Sequence, residues 1–216
     1  MAQKFAELRP VIRLYLFLLV IWGIYRLLFR LPAEVEELVL KPVIWLGAIV
    51  YFLRREGGNL ASLGFSKKNL FKSIYLSVGL GILFAAEGAL VNSLKYGGFD
   101  FISLGLGLPA FLGALGLSLA TAISEETTFR GYIFNRIWRA TGREWYSNFI
   151  TTAGWVLIHL PITFFVLKYT VPQIAVFLFL TGLFSLGSGF VFARTGNVLS
   201  SILLHVLWEW PIILFR

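Results

Sequence analysis

Two adjacent glutamates, Glu125 and Glu126, stand with Arg130 in the stretch Ser124-Glu-Glu-Thr-Thr-Phe-Arg-Gly131, at the end of a long apolar run. A carboxylate at membrane depth costs roughly 2.5–3.5 kcal/mol even on insertion-based scales, so a pair of them implies partners and a task. The chain has two histidines, His159 and His205, both within apolar runs, and Glu209 follows His205 by four residues. A carboxylate removed from water is a stronger base, and an imidazole beside it can orient a water or relay its proton. A second imidazole can donate to an oxyanion, and a site that excludes water strengthens such donors. The chemistry these residue types suit is hydrolysis by an activated water.

Their spacing is consistent with one site. Glu126 and Arg130, Trp155 and His159, and His205 and Glu209 are each four apart, so each pair shares a helical face. Glu125 points about 100° away from Glu126, which separates their roles: Glu126 pairs with Arg130, and Glu125 faces a pocket. At about 1.5 Å per helical residue, Glu125 lies roughly 21 Å from Arg139 and His159 equally far from Trp145. On the last helix His205 is about 12 Å and Glu209 about 18 Å from Asn197, so all four fall in one layer if the fourth helix runs down to Arg139. Each residue alone has a plainer reading. A single membrane histidine is often a packing group, Glu126 with Arg130 serves as a structural pair, and Glu87 serves to hydrogen-bond a neighbouring helix. Phe129, Trp155, Trp208 and Trp210 read as packing or lipid-facing rings. The conjunction at matched depth, among few buried polar groups, is what favours a site.

The elements that must position these residues are membrane helices. Of 216 residues 58% are hydrophobic and 14% charged, against about 25% charged in ordinary soluble domains. The reading is an all-α, polytopic helical membrane bundle, a single domain over 1–216 with its motif region at about 105–216. Windows of about 20 apolar residues fall near 11–29, 36–54, 72–94, 105–126, 146–167, 172–193 and 197–215, which predicts about seven transmembrane helices. The fourth is expected to continue through Arg130 towards Arg139, with Gly131 as a point of breakage and room there for an eighth, partial segment. The first window is too long for a signal-peptide core and is expected to stay as a span. Cysteine is absent, which excludes disulfides and thiolate chemistry. The formal charge of +8 is dispersed in short patches between apolar segments rather than along one polar face, which argues against nucleic acid as a partner. Lys and Arg are about twice as frequent on one set of flanks, so the N-terminus is expected in the cytoplasm, with cytoplasmic loops at 55–71, 136–145 and 194–196, and the cell membrane is the expected location. The stretch Asn59 to Lys72 interleaves apolar residues with lysines and reads either as an interfacial segment or as a polar loop.

The three motifs Glu125-Glu126-Thr-Thr-Phe-Arg130, Trp155-Val-Leu-Ile-His159 and His205-Val-Leu-Trp-Glu209 resemble the marks of the CPBP family, the CAAX proteases and bacteriocin-processing enzymes also called Abi proteins. The family pattern is Glu-Glu-x-x-x-Arg, an aromatic-x-x-x-His, and His-x-x-x-Asn or Asp on successive core helices. The resemblance implies an intramembrane endopeptidase acting on a membrane-associated or prenylated peptide. Glu125 and His159 would activate the water, His205 would hold the oxyanion, and Glu126, Arg130 and Glu209 would support them. It implies no cofactor, surrounding membrane lipid as a partner, and a peptide or protein substrate reaching the site from the cytoplasmic side. Glu209 departs from the pattern: an amide donates to an oxyanion, whereas an ionised carboxylate repels it, so Glu209 serves only protonated or turned towards His205.

Alternatives remain open at this point. Glu125, His159, His205 and Glu209 offer N and O ligands that suit zinc, giving a metal-dependent variant. The site-two metalloprotease motif His-Glu-x-x-His is missing, and Asp100 is the one aspartate, which excludes a two-aspartate protease. A serine mechanism has Ser188 with His205 as its best pair. A non-catalytic scaffold or regulator that keeps the fold is a further reading, favoured by Glu209, and a small proton-coupled transporter is another.

Overall fold

In lipid a backbone can satisfy its own polar groups only as helix or closed barrel, and the apolar runs of this chain take the first route. The computed structural model describes residues 2–98 and 107–214. Asp100, residues 105 and 106 of the fourth window and residue 215 of the seventh lie outside the described residues. Among those described there is no strand, and seven long helical segments follow one another. They are α1 (Ala2–Leu28), α2 (33–55), α3 (Leu70–Tyr96), α4 (Gly107–Thr141), α5 (Glu144–Val166), α6 (Val171–Thr195) and α7 (Val198–Leu214). Each predicted window holds one of them. α1, α3, α4, α5 and α6 are the five long and apolar enough to cross a membrane, and the chain is an integral membrane protein. α7 has a shorter apolar stretch, Val198–Trp210, and α2 opens with Glu34, Glu36, Glu37 and Lys41.

The expected eighth segment is not found among the described residues, because α4 runs unbroken past Arg139 to Thr141. It does so by widening to a π-helix over Thr127–Phe134, a form that recurs at functional sites. Gly131 lies inside this stretch and does not break it. A side chain there would bring its Cβ to 2.9 Å from the carbonyl oxygen of Leu63, so glycine is needed for the 3-10 turn Leu60–Leu63 to dock. α2 is likewise π-helical over Glu36–Leu40 and Pro42–Leu46, where Pro42 removes a backbone donor.

Boundaries follow local chemistry. Gly97, Gly142 and Gly196 adopt the left-handed conformation that ends α3, α4 and α6. α6 starts with Pro172 in its first turn and Gln173 reaching back to the Thr170 N–H at 2.9 Å.

Between helices in lipid there is little hydrophobic drive, so close approach and hydrogen bonds hold the bundle. α3 packs along α7 where a Cβ on Gly81 would lie 2.6 Å from Leu207 and one on Gly88 2.8 Å from Ile212. Ser77 donates to the Ser200 carbonyl at 2.6 Å and Ser201 to the Ser188 carbonyl at 3.1 Å. An aromatic core of Trp22, Trp45, Phe129, Trp155 and Phe184 joins α1, α2, α4, α5 and α6.

The two ends of the bundle are each tied together. At the end shared by the start of α1 and the 56–69 connection, Asn197 donates to the carbonyls of Ser66 and Lys68, Asn135 to that of Ser62, and Arg136 pairs with Glu56 at 3.1 Å. Much of the Asn59 to Lys72 stretch is thereby a loop strapped to the bundle, with Leu63 buried and Phe71 exposed. At the opposite end Arg30 donates to the Phe165 carbonyl at 2.7 Å, and Asn92 to that of Ile212 at 3.1 Å.

Candidate active site

Glu125 and Glu126 close the α-helical part of α4, just before it widens. Being about 100° apart, they serve different neighbours. Glu126 turns to α6 and α7 and is fully buried. Its Oε1 accepts from Arg130 Nη1 at 3.0 Å and from His205 Nδ1 at 2.8 Å, and its Oε2 accepts from Ser188 Oγ at 2.7 Å. Arg130 also donates to the carbonyl and hydroxyl oxygens of Ser185, at 2.9 and 2.8 Å, and lies 4.4 Å from the centre of the Trp155 ring. The sequence assigned Glu126 to Arg130 alone; the structure adds Ser188 and His205 to the same carboxylate.

Glu125 turns the other way, towards α2. Lys41 Nζ, itself buried, donates to Glu125 Oε1 at 2.7 Å and also pairs with Glu37, whose Oε2 accepts from the Thr121 hydroxyl at 2.7 Å. The ammonium lies within 5.6 Å of the Trp22 ring centre and 5.9 Å of that of Trp45. Glu125 is therefore not the free carboxylate that its spacing suggested. Lys41 escaped the sequence reading because a lysine near the edge of an apolar window reads as a flank. The available signal was Glu37-Leu-Val-Leu-Lys41, an acid and a base one helical turn apart inside an apolar segment.

His159, on α5, uses Nδ1 to bond the Trp155 carbonyl at 2.7 Å. A carbonyl only accepts, so the proton is on Nδ1 and the neutral ring leaves its Nε2 lone pair for another partner. His205, on α7, commits its Nδ1–H to Glu126, so Nε2 donates only when the ring is doubly protonated. Neutral His205 thus has no free donor, which narrows the role given to it. Trp155 sits between the two imidazoles, its ring centre 4.9 Å from that of His159 and 5.8 Å from that of His205.

Glu209 does not bond His205. Its Oε2 is buried with no hydrogen-bond partner among the described residues. Glu87 accepts from Trp208 Nε1 at 3.2 Å.

Glu125, His159, His205, Glu209 and Lys41 line one cavity of about 720 Å³. Glu126 and Arg130 lie behind its wall. The cavity is bounded by the later turns of α1, α3, α5 and α7 and the early turns of α2 and α6, so it belongs to the end of the bundle opposite the start of α1. Its most exposed lining residues, Leu94, Lys95, Pro172, Gln173 and Val176, mark the mouth between α3 and α6.

Other expected constellations are dispersed. Ser188 donates to Glu126, and that carboxylate stands between it and His205, so a serine–histidine pair is not formed. Among the described residues no three of His, Asp and Glu gather as ligands for a metal ion; Glu125 is held by Lys41 and His205 by Glu126.

Residues 107–211 match the family model described as type II CAAX prenyl endopeptidase, Rce1-like. Over these residues the chain is similar to that family. The matched residues span α4 to α7, hold all three motifs, and leave α1 to α3, with Lys41, outside. No curated protein and no solved structure matches the chain. The CAAX-protease family is one of endopeptidases, which supports a hydrolase.

Proposed function

We propose that the chain is an intramembrane endopeptidase of the cell membrane that hydrolyses a peptide bond in a membrane-associated peptide or protein, with Glu125 as the base. The observation that carries this reading is that Glu125, His159 and His205, from three helices, line a single cavity. Lys41 fixes Glu125 through Oε1, leaving Oε2 to take a proton from water. His159 Nε2 accepts the other hydrogen of that water and orients its lone pair towards the substrate carbonyl carbon. The water oxygen bonds to that carbon, the carbonyl becomes an oxyanion, and doubly protonated His205, held through its Nδ1–H by Glu126, donates to it through Nε2. The proton held by Glu125 passes to the amide nitrogen, the C–N bond breaks, and a carboxylic acid and an amine leave. No metal ion enters this scheme.

The test compares membrane peptides by mass spectrometry in cells carrying the wild type, Glu125→Gln or Glu209→Asn. Fragments present with wild type and lost with Glu125→Gln support the reading, and identical fragments in all three remove it. A second reading, a non-catalytic member that keeps the fold as a scaffold, is favoured by the ammonium on Glu125 and the unpartnered carboxylate of Glu209. It expects cleavage from Glu209→Asn alone, or from none.

A further inference from the structure

The cavity carries more acid than the protein itself compensates. Four of its lining residues are glutamates: Glu37, Glu87, Glu125 and Glu209. One buried ammonium, that of Lys41, is shared between Glu37 and Glu125. Arg26 is paired with Glu36, and Lys95 stands exposed at the mouth with its ammonium 5.7 Å from the centre of the Tyr169 ring. Glu87 receives one hydrogen bond, from the neutral indole of Trp208 at 3.2 Å. Glu209 lies deep within the bundle and lines the cavity. Its Oε2 is buried and unbonded, and no hydrogen bond reaches its other oxygen from the described residues. His205, one turn earlier on α7, gives its Nδ1–H to Glu126 instead. Even a doubly protonated His205 leaves the carboxylates of the cavity in excess.

Glu87 and Glu209 belong to one wall. α3 and α7 pack closely beside them, since a Cβ on Gly88 would lie 2.8 Å from Ile212, and Trp208, the donor to Glu87, directly precedes Glu209. The rings of Trp208, Phe177 and Tyr169 face the same cavity. An ionised carboxylate kept from water needs a cation or several donors, and aromatic faces favour an ammonium or a guanidinium. The counter-charge for this wall must come from what enters the cavity. We propose that the cavity selects a peptide with a basic residue beside the bond to be cut, its Lys or Arg side chain held by Glu87 and Glu209 among these rings. An acidic residue at that place is repelled by the same wall. Glu209, standing where the motif pattern has Asn or Asp, then serves to choose the substrate. Assigning the basic side chain to a substrate rests on the peptidase reading; the affinity of the wall for a cation does not.

Two fluorescent probes, Nα-dansyl-lysine amide and Nα-dansyl-norleucine amide, differ by the ammonium alone. Each is titrated into the purified full-length protein in an uncharged detergent near neutral pH, and binding is read by fluorescence anisotropy. The lysine amide is expected to bind at least about tenfold more tightly than the norleucine amide, and that ratio to fall to within about twofold of unity in Glu87→Gln/Glu209→Gln. Equal affinities in the wild type, as two protonated carboxyl groups would give, overturn the proposal, and so does a ratio that the double variant leaves unchanged. If the double variant does not fold, Glu87→Gln alone carries the test, with a ratio lowered at least about threefold expected and an unchanged one overturning the proposal. Among new termini formed from a membrane-peptide extract, Lys or Arg is expected at a constant position beside the cut. Lysine preference in binding without Glu125-dependent termini would keep the cation site and remove the peptidase reading. Glu125-dependent termini with no basic residue beside them and no lysine preference would do the reverse.

Discussion

The ammonium of Lys41 decides how Glu125 can work. Buried and bonded to both Glu37 and Glu125, it is the counter-charge that lets an ionised carboxylate persist at this depth. Removing one partner of a buried pair costs roughly 3–5 kcal/mol, because the other charge is left uncompensated. Lys41→Met is therefore expected to lower the unfolding temperature in detergent well below that of the wild type, and Lys41→Met with Glu125→Gln to regain part of the loss. Additive losses in that double-mutant cycle would mean that the two side chains are not coupled. Glu209 poses the converse case, an acceptor with no donor on Oε2. Glu209→Gln keeps the volume and supplies an N–H₂, so it is expected to preserve or raise stability and to leave cleavage within about tenfold, since tenfold corresponds to about 1.4 kcal/mol of barrier. A loss of a hundredfold or more would place Glu209 among the proton donors of the reaction.

At the scale of the elements, α4 and α5 to α7 were legible because apolar windows, four-residue spacings and the three motifs report local geometry directly. What four-residue spacing does not report is which neighbour wins. His205 and Glu209 share a face, yet the ring nitrogen goes to Glu126, a residue of another helix, because α4 and α7 pack so that this carboxylate meets it. Lys41 was hidden for a related reason: a cation near the edge of a window has the same sequence signature whether it reaches the headgroups or an acid in the core. Helix contacts leave a mark of their own in small residues. A Cβ on Gly189 of α6 would fall 2.0 Å from Asn148 Oδ1 of α5, whereas one on Gly79 of α3 meets nothing within 4 Å. Overpacking typically costs 1–3 kcal/mol, so Gly189→Ala is expected to lower the unfolding temperature by several degrees while Gly79→Ala holds or raises it. Equal temperatures for the two would show that α5 and α6 do not meet there.

The whole molecule is a helical bundle closed at one end and hollow at the other. The closed end is strapped by the 56–69 connection and the Arg136 to Glu56 pair, and it carries most of the exposed positive charge. The cavity of the hollow end reaches the depth of Glu125, about half-way along α4. The first three helices, outside the family match, complete that cavity through Trp22, Lys41 and Glu87. Truncating them is expected to abolish both folding and any activity of the motif half.

The most direct measurement of the central claim is Glu125-dependent peptide cleavage by the intact protein. Purified wild type and Glu125→Gln, each shown to be folded by its elution and by a cooperative unfolding transition above the assay temperature, are reconstituted with a membrane-peptide extract, and new peptide termini are counted by mass spectrometry. Termini are expected to appear with wild type and to fall by at least a hundredfold with Glu125→Gln, the scale of a lost general base. Termini that form equally with both proteins would contradict it.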